Sequence, residues 1–225
     1  MDREELFEKF LKECKIRRKW SGQGNPNADI LIIGKEPYNA DLITDEVKIQ
    51  EKLQTQEDIC RSGYGEAPRD AKNPTWYNYQ KLIEEVYKNR REFNPKLFDF
   101  EKYAFTTELN TTFRPKAVLD AKTRNNINER LHFFKESKFI QSFPVIILAC
   151  GGYIRNNDKV REIDNTFHVE FCQEYGNKES KNRFWTHFDK NDPRKLVIHT
   201  RQLSNWVTKE MIYKMASVIR EHLDH

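Results

Sequence analysis

The chain has no apolar run approaching the ~18 residues of a membrane-spanning helix. Its first residues, Met1-Asp2-Arg3-Glu4-Glu5, begin no apolar signal segment. Both absences point to a soluble, intracellular protein, placed in the cytoplasm. Four cysteines, Cys14, Cys60, Cys150 and Cys172, are scattered without a CxxC pair. That excludes zinc spacing and reads as reduced thiols, with no metal site. No Gly-x-Gly-x-x-Gly follows a strand-like run, so a Rossmann-type dinucleotide enzyme is set aside and no cofactor is expected. A strong charge of one sign is missing too: 39 basic against 35 acidic residues leave +4. A field that weak does not mark a nucleic-acid binder, so any such affinity has to come from a local patch. Repeats, low-complexity tracts and linkers are absent, and 225 residues fit a single domain, residues 1–225.

What the chain does have is aromatic bulk, 15 Phe, 9 Tyr and 4 Trp, enough to build a core although the hydrophobic fraction is only 37%. The stretch that organises it is Ala28-Asp29-Ile30-Leu31-Ile32-Ile33-Gly34-Lys35-Glu36-Pro37-Tyr38-Asn39. Four apolar residues, three of them β-branched, run to a glycine, the pattern of a strand covered on both faces in a parallel sheet. Gly34 permits a sharp turn and Pro37 stops the strand. Glu36 and Tyr38 are left at its carboxyl end, where open α/β sheets bind ligands.

Three further strands are predicted: 103–109 ending at Asn110, 144–150 ending at Gly151-Gly152, and 195–198 delivering His199. Helices are predicted over 2–19, 45–60, 76–91 with Thr75 as cap, 126–142 and 205–223. Residues 155–192 are charged and irregular, with short strands near 167–172 and 183–186, and read as an excursion. Alternating strands and helices argue for an α/β fold, a three-layer α/β/α sandwich around a mostly parallel sheet. Taken singly, each strand-end residue has a plain structural role. Asn110 is a turn former, His199 a satisfied histidine and Leu203 a hydrophobic staple at a helix start.

Taken together and in order, the strand ends resemble the motifs of the uracil-DNA glycosylase superfamily over about residues 28–210. The family's G-Q-D-P-Y-H is similar to Gly34-Lys35-Glu36-Pro37-Tyr38-Asn39, and its L-L-L-N-T to Thr107-Glu108-Leu109-Asn110-Thr111. Its P-S-L-x-N-I-x-K-E-L helix resembles Pro74-Thr75-Trp76-Tyr77-Asn78-Tyr79-Gln80-Lys81-Leu82, and its W-G-S-Y strand end Ala149-Cys150-Gly151-Gly152-Tyr153. The final H-P-S-P-L-S is matched at its ends by His199 and Leu203-Ser204.

The resemblance implies a uracil-DNA glycosylase-like fold and a metal-free enzyme, a divergent member that flips a uracil-like or modified pyrimidine out of DNA and hydrolyses its N-glycosidic bond. Breaking that bond builds positive charge on the sugar and negative charge on the base. A carboxylate beside the sugar answers the first, a role that falls to Glu36. A histidine donating to a base carbonyl answers the second, a role that falls to His199. Asn110 would read the base edge through its amide, and Tyr38 would exclude bases methylated at the 5-position. Lys35 would help hold the base, and Tyr64, between two glycines, is the candidate stacking aromatic. Leu203 matches the apolar wedge that fills the gap left by a flipped nucleotide. Arg201, Ser204, Lys35 and the basic residues of 61–72 would contact DNA phosphates. The implied partner is DNA, single-stranded included, bound by a monomer.

The chain also departs from the family pattern. Glu36 stands where Asp is usual, which lengthens the reach by about 1.5 Å. Lys35 replaces Gln, Gly152 replaces a phosphate-binding Ser, and Thr200-Arg201-Gln202 replaces Pro-Ser-Pro. These changes favour the alternative, a non-catalytic nucleic-acid or nucleotide-binding module on the same fold.

Overall fold

The computed structural model describes residues 2–36, 67–69, 73–111, 118–177, 179–189 and 194–224. In chain order the elements are α1 (Arg3–Ile16), β1 (Gln23–Gly24), β2 (Ile30–Gly34), β3 (Ala67–Pro68), α2 (Pro74–Val86), β4 (Leu97–Phe98) and β5 (Ala104–Glu108). There follow α3 (Ala121–Glu136), α4 (Lys138–Gln141), β6 (Val145–Leu148), α5 (Glu162–Phe167), β7 (Glu170–Tyr175), β8 (Phe184–Phe188), β9 (Leu196–Thr200) and α6 (Lys209–Leu223).

Seven strands make one sheet in the order β1-β5-β2-β6-β9-β8-β7. The middle four, β5, β2, β6 and β9, are parallel. β1 joins β5 antiparallel, and β8 is antiparallel to both β9 and β7. The sheet is therefore mixed and mostly parallel, with only β1 and β8 running against the rest.

The apolar runs are continuous because both faces are covered. Leu31, Ile33, Ile146, Leu148 and Val197 face one core, shared with Phe7 and Phe10 of α1 and Ile127 and Phe134 of α3. Ile30, Ile32, Val145, Ile147, Leu196 and Ile198 face the other, shared with Leu82 and Ile83 of α2 and Met215 and Ile219 of α6. One strand thus supplies two cores, and no polar alternation is left in its sequence. Among the described residues no helix is long and apolar enough to cross a membrane.

Local differences from expectation have clear causes. The cap of α2 is Asn73, not Thr75: the Asn73 side chain accepts from the Trp76 N–H at 3.1 Å, and Pro74 takes the first helical position. The helix expected over 126–142 is two helices, broken at Ser137, whose side chain caps α4. The stretch read as an excursion folds as α5, β7 and β8, and β8 pairs with β9 to widen the sheet. Its polar edge strand β7, Glu-Phe-Cys-Gln-Glu-Tyr, is exposed over its first four residues and carries no hydrophobic period. The helix expected over 45–60 lies outside the described residues.

Topology places the site. From β2 the chain moves to β5 on one side, whereas β6 lies on the other side and leads on to β9. The connections leave β2 and β6 in opposite directions, so a crevice opens between their carboxyl ends. Lys35 and Glu36 follow β2 at this point, and Cys150, Gly151 and Gly152 follow β6.

Candidate active site

Register brings the strand ends to one edge. Gly34 pairs with Glu108 across β2 and β5, and Leu148 pairs with His199 across β6 and β9. Glu36, Asn110, Gly151 and His199 therefore share the carboxyl edge. Two inter-strand steps separate β2 from β9, about 10 Å at ~4.8 Å per step.

Glu36 is half-buried and held. Its Oε2 accepts from Asn110 Nδ2 at 2.7 Å and from the Tyr153 hydroxyl at 3.2 Å. Asn110 is fully buried, and an N–H of its amide donates to Glu36, so it positions the carboxylate. Tyr153, from the helical turn after β6, is the second positioning group, and Lys35 Nζ lies 5.1 Å above its ring.

His199 sits inside β9, one residue before its end, and not after it. Its ring packs on Trp185 of β8, with centroids 5.3 Å apart and planes 30° apart. Nε2 lies 3.1 Å from the Gly151 carbonyl oxygen. Burial pushes the imidazole down to about 4, against the pull of that carbonyl, and the neighbouring His187 adds to the depression. The ring is neutral at physiological pH, and a neutral ring on a carbonyl carries its proton on Nε2. Gly151 bends the chain there with φ +53°, a conformation suited to glycine.

Beside these groups lies a cleft of about 520 Å³. Lys35, Lys181, Arg183 and Arg201 line it, with Trp185, His199 and the Gly151-Gly152 backbone, and none of the described lining residues is acidic. The Arg183 guanidinium is 5.0 Å from the Trp185 ring centre. A chain of net charge only +4 thus gathers Lys35, Lys181 and Arg201 around one aromatic surface, with Arg183 also paired to Glu174 at 3.0 Å, a combination suited to a phosphate-linked base.

Several expected contacts are corrected. Leu203 is fully buried in the α2–α6 core, so it is not an exposed wedge; the bulky apolar side chain at the surface of that turn is Trp206, 87% exposed. Arg201 lines the cleft, but its guanidinium also donates to the Asn205 carbonyl at 3.0 Å and holds the turn. Ser204 lines the cleft too, and its carbonyl accepts from Asn78 of α2 at 2.7 Å. Arg69 is drawn inward to Glu84, so it is not a phosphate contact of the 61–72 group. Tyr38 and Tyr64 lie outside the described residues.

Sequence reasoning missed Lys181, Arg183 and Trp185, because they belong to the stretch with no periodic signal. Tyr153 stood inside a matched motif without a role. Glu108 likewise stood inside a matched motif without a role. A scan against protein-family models finds no match, and neither does a search of the curated proteins.

Buried His187 and half-buried His199 are expected to make the fold acid-sensitive. His187 is 1% exposed, with Nδ1 3.1 Å from Asp164 Oδ1. Burial lowers its proton affinity more than Asp164 raises it. Both rings bind protons more weakly folded than unfolded, so between the unfolded value of 6.5 and the folded value of about 4 for His199 the unfolded chain holds more protons. Stability is then expected to fall as pH drops through that window, by up to ~3 kcal/mol from His199. Urea midpoints measured from pH 7 to pH 4 check this. A His199→Gln chain should lose part of the slope.

Proposed function

We propose that the chain is a nucleic-acid-directed hydrolase that cleaves the N-glycosidic bond of uracil or a modified pyrimidine, as a divergent relative of the uracil-DNA glycosylases. The observation that carries the reading is the Glu36 carboxylate, fixed by Asn110 and Tyr153 one residue after Lys35, which lines a cationic, aromatic cleft together with a neutral histidine. The cations hold phosphates. Glu36 faces the sugar and stabilises its positive charge, or orients the water that adds to C1′. As the C1′–N bond breaks, the electron pair leaves with the base, and the neutral His199 imidazole donates an N–H to the resulting anion, as neutral histidines do elsewhere. That requires the Nε2–H to turn from the Gly151 carbonyl to the base.

A second reading, a binding module without chemistry, has its own support. One Asn110 N–H, the His199 Nε2–H and Leu203 are engaged inside the protein. Incubating the protein with single- and double-stranded oligonucleotides carrying one uracil, scored for abasic sites, separates the two. Abasic sites support the hydrolase. Binding without them supports the module.

Both readings need the cationic cleft, and Lys181 tests it cleanly because its side chain is exposed while Arg201 has a second, structural task. Lys181→Gln should weaken binding of single-stranded DNA equally for all sequences and lower the salt slope by about one unit. An unchanged slope removes Lys181 from the interface.

A further inference from the structure

Sequence reading gives Lys35 a contact with a base or a phosphate; the structure gives its amine a more specific setting. The Lys35 carbonyl accepts from the Asn110 N–H at 2.8 Å, which ties the backbone after β2 to the end of β5. The side chain crosses the crevice toward β6. A Cβ built on Gly151 would meet Lys35 Cε at 3.8 Å, an ordinary contact, so the stem lies along the Gly151 turn. Nζ ends 5.1 Å from the Tyr153 ring centre, and the hydroxyl of that same ring donates to Glu36 Oε2 at 3.2 Å. Tyr153 thus carries the amine at its ring and the carboxylate on its hydroxyl. Among the described residues no hydrogen bond or ion pair engages Lys35 Nζ, although Lys35 lines the cleft of about 520 Å³. The nitrogen is left for whatever enters that cleft.

We propose that this cleft has a second activity, cleavage of a nucleic-acid strand at an abasic site, with Lys35 Nζ as the nucleophile that forms an imine with the opened sugar. Lysine amines condense with carbonyl substrates in this way. The sugar left when a base is removed opens to an aldehyde at C1′, the atom that Glu36 attends in the hydrolase reading. The residue before Glu36 is therefore an amine suited to the product of the first reaction. The choice of substrate rests on the nucleic-acid reading above; the placement of the amine does not.

The steps balance with water alone. The Nζ lone pair adds to C1′, the carbonyl π pair moves to oxygen, and that oxygen leaves as water, giving a protonated imine. Glu36, placed at the sugar under the reading above, takes a proton from C2′, and the C–H pair forms the C1′–C2′ double bond as the nitrogen becomes neutral. The nitrogen pair then re-forms the imine and the C1′–C2′ pair shifts to C2′–C3′. The C3′–O bond breaks, and its electrons leave on the 3′-phosphate. Lys181 and Arg201, which line the same cleft, offset the charge on that leaving group. Water hydrolyses the imine and returns the Lys35 amine.

The test supplies the full chain with a single-stranded oligonucleotide that already contains one abasic site, so no glycosidic bond has to be cut first. Sodium borohydride reduces the imine to a stable amine, and the wild-type chain should then run as a covalent protein–oligonucleotide adduct. Without borohydride the strand should break on the 3′ side of the site. Peptide mass mapping should place the adduct on Lys35. Lys35→Arg keeps the charge but offers no condensing amine, so at concentrations that saturate binding it should lose both the adduct and the break. If that variant does not fold, the mass map of the wild-type adduct decides alone. An oligonucleotide that stays unbound, or binds without an adduct, overturns the proposal. An adduct on Lys181 or on the amino terminus, or one that Lys35→Arg retains, overturns it too. Adduct formation at a preformed abasic site without excision from a uracil oligonucleotide keeps this activity and removes the hydrolase. Excision that leaves the strand whole, with no adduct, keeps the hydrolase and removes this activity.

Discussion

Glu36→Gln should leave the protein folded, with its affinity for single-stranded DNA within about twofold, and should cut excision by ~10²–10⁴-fold, the range for loss of a positioned acid–base group. The change removes charge at nearly constant shape. Gln keeps an oxygen that accepts from Asn110 Nδ2 and the Tyr153 hydroxyl, so the positioning contacts at 2.7 and 3.2 Å survive. Glu36→Asp tests the same contacts from the other side. It keeps the charge but withdraws it by about 1.5 Å, out of reach of both donors, and misplacement of that order costs ~100-fold. A pocket built around Glu should therefore lose activity with Asp as well. Abasic-site yield with a uracil oligonucleotide, read beside a binding isotherm, gives both numbers. An Asp variant more active than the parent would show that the Asn110–Tyr153 clamp is not the catalytic geometry.

Much of the fold was legible because burial on two faces leaves a strong trace. The runs Ile30 to Ile33 and Val145 to Leu148 admit no polar residue, and such runs occur where helices cover a parallel sheet. The carboxyl-edge placement of Glu36 followed from the first of these strands, and that of His199 from the short apolar run Leu196 to Ile198. The edge of the sheet left no such trace. β7 is largely exposed and β8 mixes buried with half-buried positions, so Trp185, Arg183 and Lys181 were unreadable before β8 was seen to pair with β9.

Side-chain commitments were also out of reach. Leu203 and Asn110 stand where motif order puts them, but whether a residue faces solvent depends on the neighbouring layer. Here α2 and α6 close over Leu203, and Glu36 takes the Asn110 amide. Glu108 shows the converse. It stood in the predicted strand 103–109, yet its setting over Gly34 depends on register, which a single strand does not reveal.

Arg130 is the residue whose loss should cost the fold most. On α3 it occupies the apolar face with Thr123, Ile127 and Phe134, and it is 1% exposed. Its guanidinium donates to the Trp20 carbonyl at 2.6 Å, Thr107 Oγ1 at 3.0 Å and the Glu108 carbonyl at 3.2 Å, and lies 4.5 Å from the Phe134 ring centre. One side chain thereby ties α3 to the segment after α1 and to the carboxyl end of β5. Burial lowers its proton affinity, but a guanidinium stays charged in a protein. Two effects oppose each other when it is removed. Relief of the desolvation cost favours an apolar replacement, and loss of the donors to two part-buried carbonyls and to the buried Thr107 hydroxyl opposes it. At about 1–3 kcal/mol for each buried acceptor left unpaired, the second wins. Arg130→Met should destabilise by roughly 3–5 kcal/mol, a large share of the ~5–15 kcal/mol of an ordinary domain. Arg130→Lys keeps the charge but cannot span three acceptors with one planar fork, so it should recover only part of the loss. Urea unfolding of the two variants measures this: equal stability of Arg130→Met and the parent would mean that desolvation relief cancels the hydrogen bonds, and that the junction is held by its apolar contacts alone.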